Sequence, residues 1–155
     1  MSEPGPPVEF EEHAVALAGV GQRIGGALVD GLLTSMVVVV PILLGIVTVD
    51  DPQQGLPPGW AFALLIFGAL YTVAPTALWG QTLGKVAVGT RVVTEADGSR
   101  PGWRRSSIRW GLVGLVGRIP YVGIFVSLVV TASLVLDVRR RGLHDKAAGT
   151  IVVRA

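Results

Sequence analysis

An apolar run from Gln22 to Val49, long enough to cross a bilayer, carries Arg23 at its start and Asp30 inside it. A hydrocarbon core about 30 Å thick takes about 20 helical residues, so this stretch demands a membrane helix. In a helix seven residues advance about 700°, which leaves Arg23 and Asp30 within about 20° of one face and about 10 Å apart along the axis. Ala27 and Thr34 share that face. An ionisable group at bilayer depth costs about 2.5–3.5 kcal/mol on insertion scales, so Asp30 is expected to face a partner or a water-filled cavity rather than lipid. It reads either as a functional carboxylate or as one that only holds helices together through a buried hydrogen bond.

The remainder of the chain fits one integral membrane domain. Of 155 residues, 50% are hydrophobic and 15% charged, with a mean hydropathy of +0.60, which excludes an ordinary soluble domain. There is no Cys, so disulfides and thiolate metal sites are excluded, and two distant His residues make no metal site. The basic side chains are almost all Arg and Asn is absent, a composition that hints at a GC-rich bacterial genome.

Residues Met1 to Pro7 and the acids Glu9, Glu11 and Glu12 read as a flexible acidic tail over 1–15, without the basic n-region or small-residue cleavage site of a signal peptide. Val8 to Val20 reads as an amphipathic lead-in at the membrane surface, and Gly21 with Gly25 as a small-residue pair suited to close helix approach. The loop Asp50 to Gly59 carries acids and no Lys or Arg. A second span follows from Trp60 to Trp79, with a Trp at each end for the interfacial belts.

From Gly80 to Arg109 the chain is basic (Lys85, Arg91, Arg100, Arg104, Arg105, Arg109), which places this loop in the cytoplasm by the positive-inside rule. Val86 to Val93 reads as a strand from its branched residues, and Asp97-Gly98 as a turn with room for a third strand after it. Gly80-Gln81-Thr82-Leu83-Gly84-Lys85 is not a phosphate loop: the glycines are too close together and Val86 follows the Lys. Ser106 to Leu136 is apolar but interrupted at Arg118-Ile119-Pro120, and Arg139, Arg140, Arg141 and Lys146 follow it, so an even number of crossings is expected between two cytoplasmic flanks. Ala147-Ala148-Gly149-Thr150-Ile151-Val152-Val153 echoes Ala87-Val88-Gly89-Thr90-Arg91-Val92-Val93, and two such strands are expected to pair rather than leave open edges.

The expected fold is an all-α membrane protein, a four-helix transmembrane bundle with spans at about 22–48, 60–79, 103–117 and 121–137. Three spans are the alternative. A small cytoplasmic β-structure is expected from strands at about 86–93 and 149–154, with both chain termini cytoplasmic.

Three groups of residues resemble the RDD family of small multi-pass bacterial membrane proteins. They are Leu17-Ala18-Gly19 through Arg23, Ala27 and Asp30; Gly80, Thr82, Gly84 and Lys85 through Gly89-Thr90-Arg91-Val92-Val93 and Asp97-Gly98; and Leu143-His144-Asp145 through Gly149 and Thr150. The resemblance makes 16–155 an RDD-like transmembrane domain of the bacterial cytoplasmic (inner) membrane. It maps Arg23 and Asp30 onto the family's Arg and first Asp, and Asp145 onto the second, with Asp137 as the competing assignment. It implies a role usually proposed to be transport of an ion or small solute, cation/proton exchange among the proposals.

On that reading Asp30 exchanges a proton for a small cation. Arg23 is expected to bridge Asp30 and Asp145 with His144 beside them, a net negative site at the seam of the first and fourth helices. The alternative is a non-transporting scaffold or assembly partner held together by the same ion pairs. Four short helices enclose little volume, so a pathway implies a homo-oligomer. The bilayer is the expected surrounding, and neither a cofactor, a resident metal nor nucleic acid is expected. No enzyme is expected either, since no nucleophile motif, metal cluster or nucleotide loop accompanies Asp30 and His144.

Overall fold

The computed structural model describes residues 7–10, 13–49, 55–116, 119, 122–137 and 141–155. The expected tail at Met1 to Pro7, the acidic loop at Asp50 to Gly59 and the turn at Arg118 to Pro120 lie partly outside them. Helix α1 (Val20–Leu43) and helix α2 (Pro58–Trp79) are the two described helices long and apolar enough to cross a membrane. At about 1.5 Å per residue both exceed a hydrocarbon core. Their apolar side chains face outward: Leu28 is 68% exposed, Leu43 78% and Phe62 65%. A soluble protein would bury these residues, whereas lipid solvates them.

The polar end of this pair is elaborated. Gly80 (φ 74) ends α2, and the short α3 (Leu83–Ala87) leads through Gly89 into β3 (Thr90–Thr94). Helix α4 (Gly102–Trp110) continues as a π-helical turn, Gly111–Leu115, and packs against α2. Helix α5 (Val122–Leu136) is followed by the short α6 (Leu143–Ala148), Gly149 and β4 (Thr150–Arg154). Within the described residues, the segments expected as third and fourth spans are therefore helical. Each rises only about 22 Å, less than the hydrocarbon thickness.

Strands β3 and β4 pair antiparallel, with Val92 opposite Val152 and Val93 opposite Ile151. Because successive side chains alternate faces, Val93, Ile151 and Val153 pack with Leu17 on one side, and Val92 and Val152 with Ala18 on the other. This small two-faced core, rather than a helix bundle, is where the buried apolar residues concentrate.

Several expectations are corrected here. Val86 and Ala87 are helical, and the strand begins only at Thr90. The physical reason is that Asp30 on α1 accepts the Gly84 N–H and the Thr82 hydroxyl, which stabilises a helical turn in a β-branched run. No strand is described after Asp97-Gly98; the chain turns and enters α4. The outer edge of β4 is met instead by the N-terminal segment: Leu17 bridges Val153, and the Ala18 N–H donates to the Val152 carbonyl at 3.0 Å. Just before it, β1 (Pro7–Phe10) and β2 (His13–Ala16) pair where the amphipathic lead-in was expected. An edge strand left bare would be a liability, and this segment covers it. Gly21 faces open space, so the close approach falls to Gly25 and Gly26, which meet Val88, with Gly26 also against Gly84.

Candidate functional site

The face of α1 that carries Arg23 and Asp30 lies over the polar end, and each charge meets a different partner. Asp145 is fully buried (0% exposed) in the first turn of α6, and its Oδ2 accepts the Gly142 N–H at 3.0 Å. Arg23 Nη1 is 2.8 Å from the same oxygen, and Nη2 donates to the Val152 carbonyl at 3.4 Å. Arg109, from α4, pairs with Asp145 Oδ1 and donates to Thr150 Oγ1 at 2.6 Å. One carboxylate thus ties α1, α4, α6 and β4 together. Burial opposes its ionised form, but the guanidiniums of Arg109 and Arg23 and the Gly142 N–H outweigh that and hold Asp145 well below the usual carboxylate range.

His144 sits beside this pair, Nε2 3.5 Å from Asp145 Oδ1. Burial and Arg109 push its ring down to about 4 against the pull of Asp145, so it is neutral at physiological pH. Its Nδ1 is buried with no hydrogen-bond partner among the described residues.

Asp30 belongs to a second, more open group. Its Oδ1 accepts the Tyr71 hydroxyl at 2.7 Å and the Gly84 N–H at 2.8 Å; its Oδ2 accepts the Thr82 hydroxyl at 2.5 Å. Lys85 Nζ stands 3.9 Å from Oδ2 and donates to Thr82 Oγ1 at 3.3 Å. The Asp30 side chain remains 17% exposed. Burial and Arg109 push Lys85 down to about 8, opposed by Asp30 and Asp145.

The glycine pattern now has a cause. A Cβ on Gly84 would fall 2.2 Å from the Gly26 carbonyl oxygen and 2.7 Å from Asp30 Cγ, so only glycine lets α3 approach α1 closely enough to donate its N–H. Gly149 (φ 61) turns the chain from α6 into β4 and so places Thr150 at Arg109.

Arg23, Asp145 and His144 are brought together, as are Asp30, Thr82, Gly84 and Lys85. Arg23 does not bridge the two carboxylates: Asp30 takes Lys85 as its cation, while Arg23 goes to Asp145. The expected net negative site is corrected as well. Two carboxylates face three cations, Arg23, Lys85 and Arg109, so the cluster carries a net positive charge with His144 neutral. Arg109 was missed as a site residue because it read as one more cytoplasmic arginine; in α4, where Arg104, Arg105, Ser106 and Ser107 precede it, nothing in the sequence set it apart. Asp137 lies apart, at the end of α5, with Lys146 Nζ at 2.7 Å and Arg141 Nε at 3.3 Å.

No curated protein and no solved structure matches this chain. The family model described as the RDD family matches residues 17–149, a range that includes Arg23, Asp30, Lys85, Arg109 and Asp145, and the chain belongs to that family of membrane proteins.

Proposed function

We propose that this protein exchanges a small cation for a proton at Asp30, with Lys85 as the cation already in place. The observation that carries the reading is the contrast between the two carboxylates. Asp145 is closed off between two guanidiniums, whereas Asp30 keeps an exposed fraction and only a loose 3.9 Å contact with its ammonium. While Lys85 is protonated it compensates the Asp30 charge. Once it releases its proton, the Asp30 carboxylate with the Tyr71 and Thr82 hydroxyl oxygens offers hard oxygen ligands to a small cation. Arg23, Arg109, His144 and Asp145 then form the fixed joint against which this happens.

The proposed setting is the bacterial cytoplasmic membrane with the polar end inside. Lys85, Arg91, Arg100, Arg104 and Arg105 follow α2 directly, and such clusters favour the cytoplasmic side. Both termini are then cytoplasmic, and the stretch from the π-helical turn through α5 enters the bilayer from the cytoplasmic side and returns to it.

A non-transporting assembly protein is favoured by a different observation: Asp30 already accepts three hydrogen bonds besides its ammonium. Reconstitution in proteoliposomes with a pH dye and imposed Na⁺ or K⁺ gradients separates the two. Exchange that disappears in Asp30→Asn while the fold is kept supports the transporter. No wild-type exchange, with Asp30→Asn losing assembly or stability, supports the scaffold.

A further inference from the structure

Between α2 and α4 lies an apolar cleft of about 350 Å³, within the size range of ligand pockets and open on one side. Ala69 and Val73 form one wall, and Trp103, Ser107 and Trp110 the other. Its depth depends on Gly114. A Cβ there would fall 2.6 Å from the Trp110 indole, so only glycine leaves room for this wall of the cleft to lie along the π-helical turn.

The polar end of the cleft is positively charged. Trp103, 55% exposed, marks the position where α4 leaves the β3 turn. Arg104 precedes the cleft residue Ser107 by three positions and so neighbours it on the helix surface. Helical side chains lean toward the N-terminus, which carries the Arg104 guanidinium toward the mouth and not into the apolar interior. Arg100 lies just ahead of the helix. Both arginines are exposed, and neither has an ion-pair or hydrogen-bond partner among the described residues. Arg109, on the opposite side of α4, is by contrast buried and paired.

We propose that this cleft holds one anionic phospholipid of the surrounding bilayer, its phosphate on Arg104 and Arg100 and one acyl chain between α2 and α4. Charge complementarity decides the occupant: an apolar slot at membrane depth ending in two unpaired arginines and an interfacial Trp fits an amphiphile with an anionic head. Such a lipid completes the packing of α4 on α2 and leaves the Asp30 and Asp145 clusters untouched.

The full chain in detergent, titrated with phosphatidylglycerol or phosphatidylcholine and read by native mass spectrometry, tests this directly. One phosphatidylglycerol should be retained in preference to phosphatidylcholine. Arg104→Gln and Arg100→Gln should each weaken it about fivefold, the effect of one arginine near an anionic headgroup. Gly114→Ala, which pushes Trp110 into the cleft, should weaken both lipids alike. These arginines are surface residues, so unchanged melting of their variants excludes misfolding as the cause. Equal retention of the two lipids, full competition by inorganic phosphate, or retention unchanged in Arg104→Gln overturns the proposal.

Discussion

Lys85 and Asp145 occupy equivalent places in two copies of a helix–glycine–strand unit, sixty positions apart (145 − 85 = 60), and carry opposite charges. Each pairs with the complementary charge on one face of α1: Lys85 with Asp30, Asp145 with Arg23. The antiparallel pairing of β3 with β4 joins the two units. Helix α1 thus meets both, and the sign at each turn fixes which unit docks where.

The shared carboxylate sets an order among substitutions. Asp145→Ala removes the buried anion that Arg23 and Arg109 share and is expected to cost about 3–5 kcal/mol. Arg23→Ala leaves Arg109 on Asp145, so its cost should be smaller, about 1–3 kcal/mol. Thermal unfolding in detergent measures both; a reversed order would show that Asp145 is not the common anchor.

Glycine substitutions at the α1–α3 crossing and away from it should diverge. Gly84→Ala forces α3 off α1 and away from the Asp30 carboxylate, an overpacking cost of about 1–3 kcal/mol or more. Gly21→Ala has open space around it and should be neutral or stabilising by up to about 1 kcal/mol. Equal melting temperatures for the two variants would contradict the close α1–α3 crossing.

Lys85 should leave a signature at alkaline pH. Its amine is held at about 8 in the folded protein against an ordinary value of 10.5, so between these values the unfolded chain binds the extra proton. Stability therefore rises as pH goes from about 8 toward 10.5, because the penalty of burying the ammonium is removed. Lys85→Met should flatten that part of the profile, measured as melting temperature against pH. If Lys85 also releases the exchanged proton, flux should switch on over the same interval near pH 8; flux that is constant across it separates the structural role from the transport role.

Much of the site was legible because its chemistry is local. The period of the helix places Arg23 and Asp30 on one face, and the cost of an ionisable group in lipid guarantees that both find partners. The echo around Gly89 and Gly149 marks two units with a common fold, and the pattern Thr82, Gly84, Lys85 names residues that do meet Asp30. That two apolar stretches are long enough to cross a bilayer follows from the sequence alone, although α1 ends at Leu43, short of the expected 48.

Which charge meets which was decided only in three dimensions. Arg23 can lean toward Asp30 or toward α6, and nothing in the spacing along α1 distinguishes the two. Arg109 settles it by helping to draw the buried Asp145 into place, while the close approach at Gly84 brings Lys85 and two further donors to Asp30. The same holds for the strands. Branched residues from Val86 to Val93 favour extended backbone, yet an acceptor 54 positions away in sequence gave the first part of that run a reason to be helical. Propensity acts on neighbours along the chain, whereas the pairing of buried charges and N–H groups depends on residues that folding alone brings together.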